Sequence, residues 1–106
     1  MAPRERRVIW AESAQLALDE VIAYIAAESR ENAVRVLESA LEAARHLSTL
    51  AERGRVVPEL NDPAMREVFV FRYRLMYHVE SDRVEVTAFV HGARDFAALR
   101  RNQDAQ

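Results

Sequence analysis

Apolar and polar positions follow two different periods along the chain, and the change between them divides it. Arg6-Arg7-Val8-Ile9-Trp10 is β-branched and aromatic and predicts a short strand. Ser13 is placed to cap a helix, and Leu18, Val21, Ile22 and Ile25 then recur at i, i+3, i+4, i+7 as one apolar stripe. Asp19, Glu20 and Glu28 fall off that stripe. Ser29 offers a second cap, with Glu31 in the positive first turn. Leu37, Ala40, Leu41, Ala44 and Leu47 repeat the spacing, and Gly54 predicts a left-handed stop after Arg53. Two helices on so short a link form an antiparallel αα-hairpin, and their many alanines, among them Ala14, Ala17, Ala26, Ala33, Ala40 and Ala44, allow close approach.

Residues 55–60 read as an extended connector, closed by the turn-forming Asn61-Asp62-Pro63. The period then becomes two. Strands are predicted over 66–71, 73–80 and 83–91, with Gly92 ending the last. With Ser81-Asp82 as a two-residue turn, Val79, Tyr77, Leu75 and Tyr73 face Val84, Val86, Ala88 and Val90 on one sheet face. The other face pairs Glu80 with Arg83, His78 with Glu85, Met76 with Thr87 and Arg74 with Phe89. The helical hairpin is expected on the first face. The second is expected to stay at least partly open, carrying Arg74 with His91 and Arg94 beside it. Asp95 to Arg101 can add a short terminal helix before a polar tail. The expected fold is α+β, in the order β-α-α-β-β-β, with the partner of the first strand left open.

Composition narrows the function. The 106 residues suit one domain over 1–106, and a chain of this size buries roughly 60–70% of its unfolded surface. Half the residues are hydrophobic and 30% charged, which fits neither disorder nor a membrane protein. With no cysteine, a disulfide framework, a Cys-based zinc site and a thiol nucleophile are excluded. No apolar run approaches the roughly 18 residues of a membrane span, and no apolar core follows the arginines near the start. A cytoplasmic location is expected. Arginine supplies all 15 basic residues. Residues 1–62 carry eight Arg against eleven acids and residues 63–106 seven against six, so the net charge of −2 has no strongly basic half. That argues against a grip on many phosphates, and hence against sequence-specific DNA binding.

Motifs for other chemistries are missing. The two glycines make no phosphate loop, no Gly-x-Ser-x-Gly elbow occurs, and the three histidines have no metal-ligand spacing. No cofactor or metal is expected. A smaller set of features does stand out in order: Tyr24-Ile25-Ala26, residues 54–60 (Gly-Arg-Val-Val-Pro-Glu-Leu), Arg66-Glu67, Tyr73-Arg74-x-x-Tyr77-x-Val79 and His91-Gly92-Ala93-Arg94-Asp95. Together, over roughly residues 6–98, they resemble the RelE/ParE superfamily, the toxins of type II toxin–antitoxin modules.

The resemblance implies two rival activities on one scaffold. RelE-like members cleave messenger RNA in the ribosome, which needs a proton acceptor, a proton donor and cations against the phosphorane. Arg74 and Arg94 match arginines of that branch, and His91 is a candidate base. The lysines are absent, and no Tyr or His follows Arg94. ParE-like members bind DNA gyrase and stall it, and the His-Gly-x-Arg ending resembles that branch. Gyrase inhibition by protein binding therefore ranks first, RNA cleavage second, and an inactive toxin fold third. Arg66, Arg72, Arg74, His91 and Arg94 are the candidates for contacting a target or partner. The resemblance further implies a cognate antitoxin whose C-terminal segment wraps the helical hairpin and the sheet edge beside 66–72. Beside these readings stand plainer ones: Arg74 paired with Asp95 or Glu85, His91 bonded to the following turn, His46 and His78 at the surface, and Trp10, Tyr73 and Tyr77 in or near the core.

Overall fold

The computed structural model describes residues 5–93, so Arg94, Asp95, the predicted terminal helix and the polar tail lie outside the described residues. Seven elements follow in order: β1 (Arg7–Trp10), α1 (Glu12–Ala26), α2 (Arg30–His46), β2 (Arg55–Val56), β3 (Met65–Val70), β4 (Tyr73–Val79) and β5 (Arg83–His91). The strands form one sheet in the order β1-β5-β4-β3-β2, with β1 parallel to β5 and the other pairs antiparallel. Both helices lie on one face of it. The α+β architecture expected from the periodicity is present, with two additions: β1 takes β5 as its partner, and residues 55 and 56 form a brief edge strand. No helix among the described residues is long and apolar enough to cross a membrane.

The helix boundaries reflect local chemistry. Ser29 caps α2, its Oγ accepting from the Asn32 N–H at 3.1 Å. Ser13 does not cap α1. The helix starts at Glu12 behind Ala11, whose extended backbone donates to the Val86 carbonyl at 2.9 Å, so docking on β5 sets the start. The buried stripe of α2 runs through Ala33, Val36, Ala40, Ala44 and Leu47, while Leu41 is 47% exposed. Three of these five buried side chains are alanines.

Nor does α2 reach Arg53. It ends at His46, the chain turns through residues 47–53, and no glycine adopts a positive φ. Gly54 is required for space instead. A Cβ there would collide with the Tyr77 hydroxyl and stand 2.5 Å from the Glu67 carbonyl oxygen. The Gly54 N–H donates to Tyr77 Oη at 2.9 Å inside the core, and Arg66 Nη1 donates to the Gly54 carbonyl at 2.9 Å. Tyr77 is fully buried, and that burial pushes its phenol pKa upward.

The β4–β5 register is as expected near the turn, where Val79, His78 and Tyr77 face Val84, Glu85 and Val86. Beyond Tyr77 a bulge inserts Thr87, so Met76 faces Ala88, Leu75 faces Phe89, Arg74 faces Val90 and Tyr73 faces His91. The regular ladder would have turned Phe89 away from the helices. With the extra residue Phe89 is buried in the main core, stacked on Tyr73 at 5.2 Å between ring centroids. Ala88 and Val90 move to the other face.

That other face is not open. Residues 57–65 fold across it, seating Val57 and Leu60 on Met76, with Met65, Ala88 and Val90 packed around them. A second, smaller apolar cluster results, because the bulge exchanges Phe89 on this face for two smaller apolar side chains, Ala88 and Val90. Asn61, in the left-handed region at φ 50°, and the Asp62 side chain, accepting from the Ala64 N–H at 2.9 Å, make the turn that returns this segment to β3.

Two substitutions test the loop anchor. Gly54→Ala is expected to cost about 1–3 kcal/mol, because both obstacles are fixed by the core. Tyr77→Phe, which strands the Gly54 N–H, is expected to cost a similar ~1–3 kcal/mol. Urea unfolding measures both, and an unchanged midpoint for Gly54→Ala would show that the close approach is not made.

Candidate functional site

The charged groups expected on the second sheet face are there, but as a closed network. Arg74 projects from β4 beneath residues 55–60 and is 3% exposed. Its Nε donates to Glu67 Oε1 at 2.6 Å, and Nη1 and Nη2 donate to the two oxygens of Glu59 at 2.8 and 2.7 Å. Glu67, itself buried, accepts at its other oxygen from Arg55 Nε at 2.6 Å. The Arg55 guanidinium in turn lies 5.2 Å from the Phe69 ring centroid. Two carboxylates and two guanidinium groups thus alternate from Glu59 to Arg55. Every buried side-chain polar atom among the described residues has a partner.

The electrostatics follow the geometry. Hydrogen bonds donated by Arg74 hold the Glu59 carboxyl below its ordinary 4.5, and the bonds accepted by Glu59, more than the one accepted by Glu67, hold the Arg74 guanidinium even more firmly protonated than usual. The bidentate Arg74–Glu59 pair fastens the segment over the second face to the sheet. It leaves Arg74 without Glu85, one partner suggested by sequence; the other, Asp95, lies outside the described residues. What it can do chemically is hold the fold; its positive charge is already matched.

The other candidates separate. Arg66 donates to the carbonyls of Glu52 and Gly54, buttressing the loop after α2. Arg72 is exposed in the β3–β4 turn, where its carbonyl accepts from the Gly92 N–H at 2.7 Å. His91 is exposed, but the bulge has turned it to the helix side of the sheet, opposite to Arg74. There its ring meets the Tyr73 edge at 5.7 Å and its Nδ1 accepts from the Ala93 N–H at 3.2 Å, the bond to the following turn foreseen for a strand-end histidine. Arg74 and His91 therefore do not converge on one site. His78 faces Glu85 in register, yet its Nδ1 lies nearest the Glu80 carboxylate at 3.6 Å.

Sequence reasoning passed over Glu59, Glu67 and Arg55. The signal for Glu67 was present: it sits on the same strand face as Met65 and Phe69, diagonal to Arg74 across the β3–β4 pair. Glu59 and Arg55 lay in a stretch read as connector, without a register to place them.

Exposed apolar side chains mark the remaining surface. Leu16 and Tyr24 on α1 and Val34 and Leu41 on α2 face outward, with Tyr24 78% exposed. Phe69 and Phe71 are also more than half exposed, at the end of β3. Among the described residues the edge strand β2 covers only Arg66 and Glu67, so Val68 to Val70 pair with β4 alone.

Removing the charge at the centre of the network is expected to destabilise strongly. Arg74→Met leaves Glu59 without its partner and halves the pairing of buried Glu67, a loss of about 3–5 kcal/mol. The depressed Glu59 carboxyl contributes stability that is fully present above its unfolded value near 4.5 and is lost as pH falls through the lower folded-state value. Denaturant midpoints across the acid range should therefore drop less steeply for Glu59→Gln than for the unaltered chain; parallel curves would count against the pairing.

Comparison with known proteins agrees with this architecture. The chain matches the family model described as ParE toxin of type II toxin-antitoxin system, parDE, over residues 8–96. Among solved structures it resembles a chain of a chromosomal ParDE TA system from P. aeruginosa, with a TM-score of 0.67 and 16% identity over 83% of this chain and 97% of that one. At that identity the likeness speaks for the fold. No curated protein matches the chain in sequence. Since the family match runs from β1 past the end of β5 and the fold agrees, the chain belongs to the ParE toxin family of type II toxin–antitoxin systems.

Proposed function

We propose that this toxin acts by binding DNA gyrase, stalling it on cleaved DNA, and that a cognate antitoxin neutralises it. The observation that carries this reading is the state of Arg74. A guanidinium serving a phosphorane needs free N–H donors and unbalanced positive charge. Here Nε, Nη1 and Nη2 each donate one hydrogen bond to a carboxylate, three of the five N–H groups, and the two carboxylates balance the charge beneath a packed cover. His91, the candidate base, lies across the sheet from it. The reading that RNA is cut by Arg74, His91 and Arg94 thus loses its central cation and its geometry.

Protein binding, by contrast, has surface to use. The antitoxin's C-terminal segment would lie as a helix on the outward face of α1 and α2, where Leu16, Val34 and Leu41 are exposed, and as an added strand along residues 68–70 of β3. Either contact covers apolar surface that a target would also use. The toxin would act in the cytoplasm, with no cofactor and no sequence-specific DNA contact of its own.

Purified toxin is expected to inhibit gyrase supercoiling and to accumulate cleaved DNA complexes, both abolished by adding antitoxin. Site-specific cutting of ribosome-bound messenger RNA, with gyrase unaffected, would reject this function. Arg74→Ala separates the accounts further. As a transition-state cation its loss would lower turnover by orders of magnitude in protein that stays folded, whereas here toxicity should fall only in proportion to folded protein.

A further inference from the structure

We propose that the cleft between the β3–β4 turn and the helical hairpin receives an acidic segment of the antitoxin carrying a bulky apolar side chain. The cleft measures about 360 Å³. Ile25, Val36 and Tyr73 supply its apolar wall, and Arg35, Arg72 and Phe71 also line it. Among the described residues its only charged lining groups are the two arginines. Arg72 is exposed, and Arg35 has one loose partner, Glu31, at 3.6 Å across an i, i+4 pair with both side chains more than half exposed. An apolar pocket bordered by two lightly engaged guanidinium groups matches a carboxylate-bearing peptide with an apolar anchor, and repels a basic one.

Phe71 strengthens the case. It stands at the first position of a two-residue hairpin turn with φ 53°, a conformation that suits glycine and is unfavourable for a bulky side chain. Yet its ring is 58% exposed, so the core gains little from it. An exposed aromatic held where backbone preference opposes it is placed for contact with another molecule. The position is also continuous with the uncovered edge of β3: a strand added along residues 68–70 runs directly on to the turn and the cleft beside it.

This inference rests on the antitoxin reading above and gives the partner's chemistry. The test is calorimetric titration of the full toxin with its full-length cognate antitoxin, at two salt concentrations, with thermal melting in parallel. Phe71→Gly should leave the melting temperature unchanged or raised, since glycine accepts the left-handed backbone, while weakening antitoxin binding by about tenfold or more. Phe71→Asn, which also tolerates that conformation, should behave alike. Charge reversal by Arg72→Glu should weaken binding by about tenfold and reduce its salt dependence. Unaltered toxin that binds while all three variants bind equally well would overturn the cleft assignment and leave the antitoxin reading intact. Unaltered toxin that fails to bind would overturn both. Variants that keep antitoxin affinity but lose gyrase inhibition would assign the cleft to the target and overturn the proposal.

Discussion

A guanidinium taken out of water between two carboxylates is the constraint on which this structure turns. Burying such groups costs several kcal/mol per ion, recovered only where the geometry is close and donors are matched. Arg74 meets that condition through one bond to Glu67 and two to Glu59. The consequences spread outward. Residues 57–65 are held against the sheet, Val57 and Leu60 can seat on Met76, and a face that alternation alone would leave wet becomes a second core. The same pairing neutralises the one arginine that chemistry on RNA would most need.

How much of this could be read beforehand depends on whether the governing interaction was local. The helix stripe containing Leu18, the Ser29 cap, the strands and the register around Tyr77 and Val86 all follow from spacing within a short window. What escaped is non-local. The Thr87 bulge is decided by the burial of Phe89 against Tyr73, and no rule of alternation anticipates an inserted residue. From that one insertion His91 moved to the helix side, so the grouping of Arg74 with His91 dissolved. Gly54 was expected for its backbone freedom and is needed for its missing side chain. Glu59 sat in a stretch without periodicity, where only the folded chain brings it to Arg74.

The two faces of the sheet therefore carry different loads. On the helix side, small alanines in α2 draw the hairpin in close, and the large side chains Tyr77, Leu75 and Phe89 come from the strands. On the other side, charge pairing and a thin apolar cluster fix a cover of nine residues. Several apolar groups left outside these two cores, among them Leu41, Tyr24 and Phe71, lie on the helices and the β3–β4 turn, while Phe69 lies beside Arg55 of the charge network. A family member built this way has its interior committed to stability and its periphery available to other proteins.

The parallel alignment of β1 with β5 has a further bearing on synthesis. Arg7 lies against Arg83 and Trp10 against Val86, pairings that span most of the chain. Contacts between such distant positions close late and slow the folding reaction. On a ribosome β1 must wait, unpartnered, until β5 has left the exit tunnel, so the five-stranded sheet cannot be completed before then.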